Sequence, residues 1–565
     1  MKSLLFLLVL LLAFGVLATA AKTPSLEEGF VAPPASARPH TWWHFMDGNI
    51  TATGITKDLE AMAEIGIGGV QLFDVALGLP SGPVDYASPE WFSLMQHAIS
   101  EADRLGIEVC FHNCAGWSSS GGPWVTPELA MQRVTFSETR FSGPGRFAGK
   151  LSQPWTKEGF YRDIAVLAFP TPKGEAGAPA PEVTVTQPGV NLAPLFDGNL
   201  ESGVGLVTRL DSKPVYLNFD YPAPLTACSL TVVGGGGSVI LALEASDDGE
   251  TWTTVAQLGI GTPNVLRCPQ TVAFAPVTAR HFRIGFPQQQ AGGRAFSLSE
   301  IALESTFRLP GWGVKTGLDR GAPGPYTEPV SNDYAIMPYD LVDLTDKLGA
   351  DGSLDWEAPA GEWTIIRLGH TLTGKHNHPV RPSGDGLEID KMSKAASDFH
   401  FAQLMDKLIE KAGPLAGKTL NNTLIDSYET DCQNWSTTLP QEFEARRGYS
   451  LAGWLPALTG RLVGNLDQTE RFLWDFRKTL AECWADNYWG EFGKLAHEKG
   501  LLLSTEPYGN GNFDDLTAGG RADIPMTEFW VGGSHEDTKL AASIAHTRGN
   551  RDRKSTRLNS SHGKL

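Results

Sequence analysis

The chain has 565 residues, of which 41% are hydrophobic and 19% charged, and it carries a formal net charge of −18. That length exceeds one ordinary domain, and that charge excludes the basic surface on which nucleic acids and anionic membranes dock. Sixteen tryptophans suit core packing, and they also suit the apolar faces of sugars.

The N-terminus reads as an export signal. Lys2 is followed by an apolar run from Leu4 to Val16 and a small-residue cleavage site, Ala18-Thr19-Ala20. Residues 1–20 are therefore expected to be removed, leaving a periplasmic or secreted protein. No later stretch is apolar enough to insert into a membrane. An exported chain permits disulfides, but the pairing of its six cysteines is not readable. Cys110 and Cys114 flank His112. With no second Cys/His pair close by, they read as a buried strand end rather than a metal site.

Beyond a Pro-rich linker, Thr41–Phe45 is a predicted strand. Thr56–Ile65 has helical spacing and stops at Gly66. Gly69–Asp74 is the next strand. Ser88 and Pro89 then cap a helix that runs to Leu105 and stops at Gly106, before a third strand, Ile107–Asn113. Short apolar strands alternating with helices predict parallel α/β structure over 21–132.

From 133 to 394 helical periodicity gives way to alternation, as in Gly361–Arg367. This predicts a β-rich insertion in three parts, 133–190, 191–303 and 304–394. In the middle part, Asp197-Gly198-Asn199, the hairpin Ser246–Trp252 and Ala279–Ile284 resemble a discoidin-like, galactose-binding β-sandwich.

The α/β pattern resumes over 395–550. Helices are predicted at Ala396–Lys411, Pro440–Arg447, Glu470–Glu498 and Glu536–Ala545, with strands running into Asp426, Glu506 and Glu528. Six strands are two short of a (β/α)8-type barrel, so an incomplete barrel is expected. The basic, aperiodic stretch 551–565 reads as a non-native tail joined to an incomplete reading frame.

Three successive strands end in acids. Leu424-Ile425-Asp426-Ser427-Tyr428-Glu429 delivers two carboxylates to one rim; Glu506 and Glu528 end the next two. Glycoside hydrolysis requires a proton donor at the leaving oxygen and a second carboxylate as base or nucleophile. Trp435, Trp530 and Tyr508 lie close in sequence, where sugar-stacking side chains would be expected.

The sequence also resembles a known family. Trp42-Trp43, Gly66–Val70, Ala115–Trp124, Asp426-Ser427-Tyr428-Glu429, Arg446–Tyr449, Asp355–Trp363 and Gly386–Asp390 are similar to glycoside hydrolase family 106, the α-L-rhamnosidases. The resemblance implies a calcium-dependent, inverting enzyme that releases terminal rhamnose from pectic or other plant glycans, or from small glycosides, as its carbohydrate substrates. It implies Glu429 as general acid, Asp426 lining the site, and Glu506 and Glu528 on calcium or sugar hydroxyls, with Asp426 and Glu528 as the metal ligands. The family's general base belongs on the strand after Glu528. No Glu follows Glu536, so this chain is expected not to turn over by itself. The alternatives are a different barrel glycosidase with sandwich domains and a non-catalytic carbohydrate-binding protein.

Overall fold

In the computed structural model, six short strands pair in parallel and in chain order. They are β1 (His40–Met46), β2 (Gly69–Val75), β3 (Glu108–His112), β4 (Leu420–Ile425), β5 (Leu502–Thr505) and β6 (Ile524–Pro525). The structure describes residues 25–548 except 35–36, 176–178, 212, 236–238, 261–267, 287–294, 322 and 529–536, and the backbone of 558–559. The signal-like stretch 1–20 and Trp530 lie outside the described residues, as does all of the 551–565 tail but the backbone of 558–559.

The strands are apolar throughout because both faces are covered. Every residue of β2 is buried. Phe73, Cys110, Leu424, Ile524 and Met526 form one apolar cluster on the inner face. Gln71 Nε2 of β2 donates to Met526 Sδ at 3.2 Å, just beyond β6. The sheet therefore curls until its second and sixth strands touch through side chains. Among the described residues no pairing joins β1 to β6.

The helices stand where local signals put them. The α-helices of eight residues or more are α1 (Ala52–Glu64), α2 (Pro89–Leu105), α3 (Lys394–Ala412), α4 (Leu439–Arg447), α5 (Leu466–Trp484), α6 (Glu491–Glu498) and α7 (Asp537–Thr547). Ser88 Oγ accepts from the Trp91 amide at 3.1 Å, and Gly106 ends α2 in the left-handed region at φ 69°. The single helix expected over Glu470–Glu498 is interrupted by a π turn, Ala485–Gly490. Its wider spacing turns neighbouring aromatics inward: Tyr488 reaches Ser119 Oγ at 2.8 Å, and Trp489 Nε1 donates to Thr505 Oγ1 at 2.9 Å.

The three-part division of the insertion needs correction. Its first and last parts make one four-stranded antiparallel sheet. Strand Gln132–Lys150 pairs with Ser353–Leu372 along its whole length, and Arg162–Pro170 and Val342–Asp343 complete the sheet. Antiparallel strands between Glu182 and Glu304 form a separate unit with its own core, including Phe219, Leu241, Phe282 and Leu298. In its Ser246–Trp252 hairpin, Asp248 Oδ1 accepts from the amides of Glu250 and Thr251 at 2.8 and 2.7 Å. Trp252 is covered by the Arg283 guanidinium, 4.0 Å above its ring.

All six cysteines are buried and free. His112 stacks on Phe73 with centroids 4.7 Å apart, and its Nδ1 lies 2.9 Å from the Cys114 carbonyl. Burial holds its pKa down at about 3, as a packed strand-end imidazole requires.

Candidate active site

The carboxyl end of β4 leads into a run, Asp426–Ser436, in which every residue is buried except Glu429. The run is fixed from two sides. On one side, the chain leaving β5 continues the parallel pairing: the Tyr428 amide donates to Tyr508 O at 2.8 Å, and the Asn510 amide to Tyr428 O at 2.7 Å. Gly509 lies between them at φ 138°, and a Cβ there would sit 1.8 Å from Tyr428 O. Gly509→Ala is therefore expected to push the two segments apart. A loss of about 1–3 kcal/mol in a urea titration would fit this; an unchanged midpoint would show the approach to be slack.

On the other side, the segment returning from the insertion grips the run. Glu388 and Lys391 are fully buried and paired at 2.6 Å, and Ser120 Oγ donates to Glu388 at 2.5 Å. Lys391 Nζ stands 5.6 Å from the Tyr428 ring and 5.4 Å from the Tyr488 ring. Asp390 accepts from Ser436 Oγ at 2.6 Å and from Gln433 Nε2, and burial pushes its carboxyl up to about 6. Sequence reasoning marked Glu388 and Asp390 only as part of a family-like motif. The available signal was two acids and a lysine packed around apolar Ile389.

Within this frame Asp426, Glu506 and Glu528 meet. Asp426 and Glu506 are fully buried and Glu528 is half-buried. Burial, then the charges of Glu506 and Glu528, raise the Asp426 carboxyl well above its ordinary value. Burial, then Glu528, push Glu506 up to about 8, with Glu429 adding to the repulsion. Tyr508 donates its hydroxyl to Glu506 Oε2 at 2.7 Å. Asp426 Oδ1 and Glu506 Oε1 remain buried without a hydrogen-bond partner. Glu429 is solvent-exposed, and its Oε1 accepts from Ser427 Oγ at 3.1 Å.

The expected sugar contact at Trp435 is corrected by its surroundings. Trp435 is 3% exposed, its backbone bridges to Gln132, and its ring lies 6.2 Å from His370. It is a core residue joining the insertion to the sheet and presents no face to a ligand. A strand-end acid that sequence reasoning passed over is Asp74, preceded by Leu72-Phe73 just as Asp426 is by Leu424-Ile425. The Trp91 indole donates to it at 3.0 Å, and burial pushes its carboxyl up to about 7.

Among the described residues no three His, Cys, Asp or Glu side chains already converge at metal-ligand spacing. The chemistry of the donor set still fits a hard cation. Asp426 Oδ1 and Glu506 Oε1, buried carboxylate oxygens with no hydrogen-bond partner, are ligands of the kind such an ion takes.

A family model described as α-L-rhamnosidase, glycoside hydrolase family 106, matches residues 31–555. The chain belongs to that family. A solved structure is similar over most of the chain. It is a rhamnosidase from Novosphingobium sp. PP1Y, 36% identical with a TM-score of 0.80, and the match covers 93% of this chain and 52% of that one. A protein from Formosa agariphila, provisionally named a β-glucuronidase, is 36% identical over 526 residues, 93% of this chain and 34% of its own length. The family-106 chain thus spans about half the length of one relative and a third of the other. The carboxylate cluster and its clamp both lie inside the matched region.

Proposed function

We propose that the site hydrolyses terminal α-L-rhamnosides with inversion, with Glu429 protonating the leaving oxygen. The observation that supports this most is the exposure of Glu429 alone in an otherwise buried run. A rigid backbone presents one carboxyl to solvent at the rim of a site whose other acids are buried, which is where a proton donor to a leaving oxygen must stand. Asp426, Glu506 and Glu528 would hold a calcium ion, which supplies positive charge for the vicinal hydroxyls of the sugar. A neutral deoxysugar suits a site lined by three carboxylates better than a glucuronide does, because a uronate would add a fourth negative charge.

Inversion also calls for a base that activates water. After β6 the described residues supply helix α7, which carries no acid beyond Asp537. Azide can replace the activated water. With sodium azide, the chain is expected to convert 4-nitrophenyl α-L-rhamnoside to the β-L-rhamnosyl azide and to leave 4-nitrophenyl β-D-glucuronide untouched. Formation of the α-azide, or cleavage of the glucuronide alone, would overturn the reading. We extend it to an exported enzyme, in keeping with the N-terminal signal pattern.

The raised carboxyl groups carry a pH signature. Glu506, Asp74 and Asp390 bind their protons more tightly folded than unfolded, with folded values of about 8, about 7 and about 6. Their contribution to stability is complete below the unfolded values and is lost as pH rises through the folded ones. The melting temperature of metal-free protein is therefore expected to fall between about pH 5 and about pH 8. Calcium chloride should raise it more at the upper end of that window, where the ion no longer competes with protons. Asp426→Asn should abolish the calcium effect, and a calcium shift that survives this substitution would remove Asp426 from the ligand set.

A further inference from the structure

Strand β3 ends at His112, two residues beyond Cys110 and therefore on the same inner face of the sheet. The register with β4 sets it beside Leu424, and Asp426 lies two residues onward from Leu424 on that face. The ring is held from two directions. It stacks on Phe73 with the planes 24° apart, and its Nδ1 meets the Cys114 carbonyl at 2.9 Å. A carbonyl only accepts, so the proton sits on Nδ1 and Nε2 keeps a lone pair. Burial holds the pKa at about 3, so that lone pair stays open near neutral pH.

His112 is 3% exposed, yet its Nε2 has no hydrogen-bond partner. An acceptor left this way in a protein interior is costly, and it calls for a donor that arrives with a ligand. Asp426 Oδ1 and Glu506 Oε1 share this condition one and two strands away. A hard cation accounts for those two carboxylate oxygens. It does not account for Nε2, because such an ion takes oxygen in preference to imidazole nitrogen. The surroundings of the ring are aromatic. Phe73, under His112, meets Trp42 and His44 with centroids 4.8 and 5.5 Å away, and the Trp117 indole donates to His44 Nε2 at 3.2 Å. Trp42, His44 and Trp117 are half-buried.

We propose that His112 is a substrate-binding residue whose Nε2 accepts a hydrogen bond from the 4-hydroxyl of the terminal rhamnose. The assignment rests on the rhamnoside reading of the carboxylate site. A terminal rhamnose carries hydroxyls at positions 2, 3 and 4, so a vicinal pair on calcium leaves over either the 2- or the 4-hydroxyl. The 4-hydroxyl adjoins the carbon that bears the methyl group, and the rings around His112 suit a methyl group. One acceptor among apolar surfaces then fixes which way round the sugar lies. A site built around such a hydrogen bond rejects the analogue that lacks the hydroxyl.

Isothermal titration in calcium chloride, with L-rhamnose and with 4-deoxy-L-rhamnose, tests this. The deoxy sugar keeps the methyl group and the remaining vicinal pair. Wild-type protein is expected to bind it about tenfold more weakly than L-rhamnose. His112→Asn can still donate toward the Cys114 carbonyl but loses the acceptor. It should bring L-rhamnose down to the affinity of the deoxy sugar and leave the deoxy sugar unchanged. His112→Gln, whose longer side chain can carry an amide oxygen to the place of Nε2, should recover part of the preference. A merely structural role for His112 would weaken both sugars alike. A preference that survives His112→Asn would overturn the proposal. So would equal binding of the two sugars by wild-type protein, whether or not the variants fold, and the rhamnoside reading would then still stand. Wild-type protein that bound neither sugar would overturn both.

Discussion

Replacing Glu429 by Gln is expected to lower cleavage of an alkyl α-L-rhamnoside by roughly 10²–10⁴-fold, with azide as the acceptor. The same substitution should slow release of 4-nitrophenol far less, because that leaving group departs without a proton. The contrast between the two leaving groups is what assigns proton donation; a uniform loss would instead mean that the sugar is misplaced. Structural damage is not a competing explanation. Glu429 is exposed and its bond within the chain is to Ser427, so the melting temperature should hardly move. Ser427→Ala gives the control, since the bond from its hydroxyl is lost while the carboxyl stays in place.

The largest loss of stability is expected at Lys391. Lys391→Met leaves Glu388 buried with its charge uncompensated, and breaking such a pair costs about 3–5 kcal/mol. The effect should reach the site, because the Lys391 ammonium also stands near the Tyr428 and Tyr488 rings. The double variant Lys391→Met/Glu388→Gln removes both charges and should recover most of the loss in a denaturant titration. If the double variant were no more stable than the single one, packing around the methylene stem, and not the ion pair, would be what Lys391 supplies.

The parts of the fold legible in sequence are those specified by neighbouring residues. Apolar runs marked all six parallel strands, Ser88 and Pro89 marked the start of α2, and Gly106 marked its end in the left-handed region. The convergence of Asp426, Glu506 and Glu528 was readable because Asp426 and Glu506 directly follow neighbouring strands of one parallel sheet and Glu528 stands three residues beyond the next. Other features depend on residues far away in the chain. Nothing near Gln132–Lys150 indicates that it pairs with Ser353–Leu372. Trp435 sits near the acids in sequence, yet its exposure was decided by Gln132 and His370. The π turn likewise answers to partners on two other segments, Ser119 and Thr505. The clamp of Glu388 and Lys391 escaped because a buried ion pair looks, in sequence, like two surface charges.

The pairing of β3 with β4 has a consequence in time. Thr423 Oγ1 bonds the Phe111 carbonyl across 312 residues of chain. In an exported chain, which folds as it emerges on the far side of the membrane, β3 appears well ahead of β4 and its open edge waits for its neighbour. The inserted antiparallel units emerge within that interval and can fold while β1, β2 and β3 remain a half-built sheet. The bare edge is then a window for mispairing with other chains, and helper proteins that shield strand edges would matter most during it.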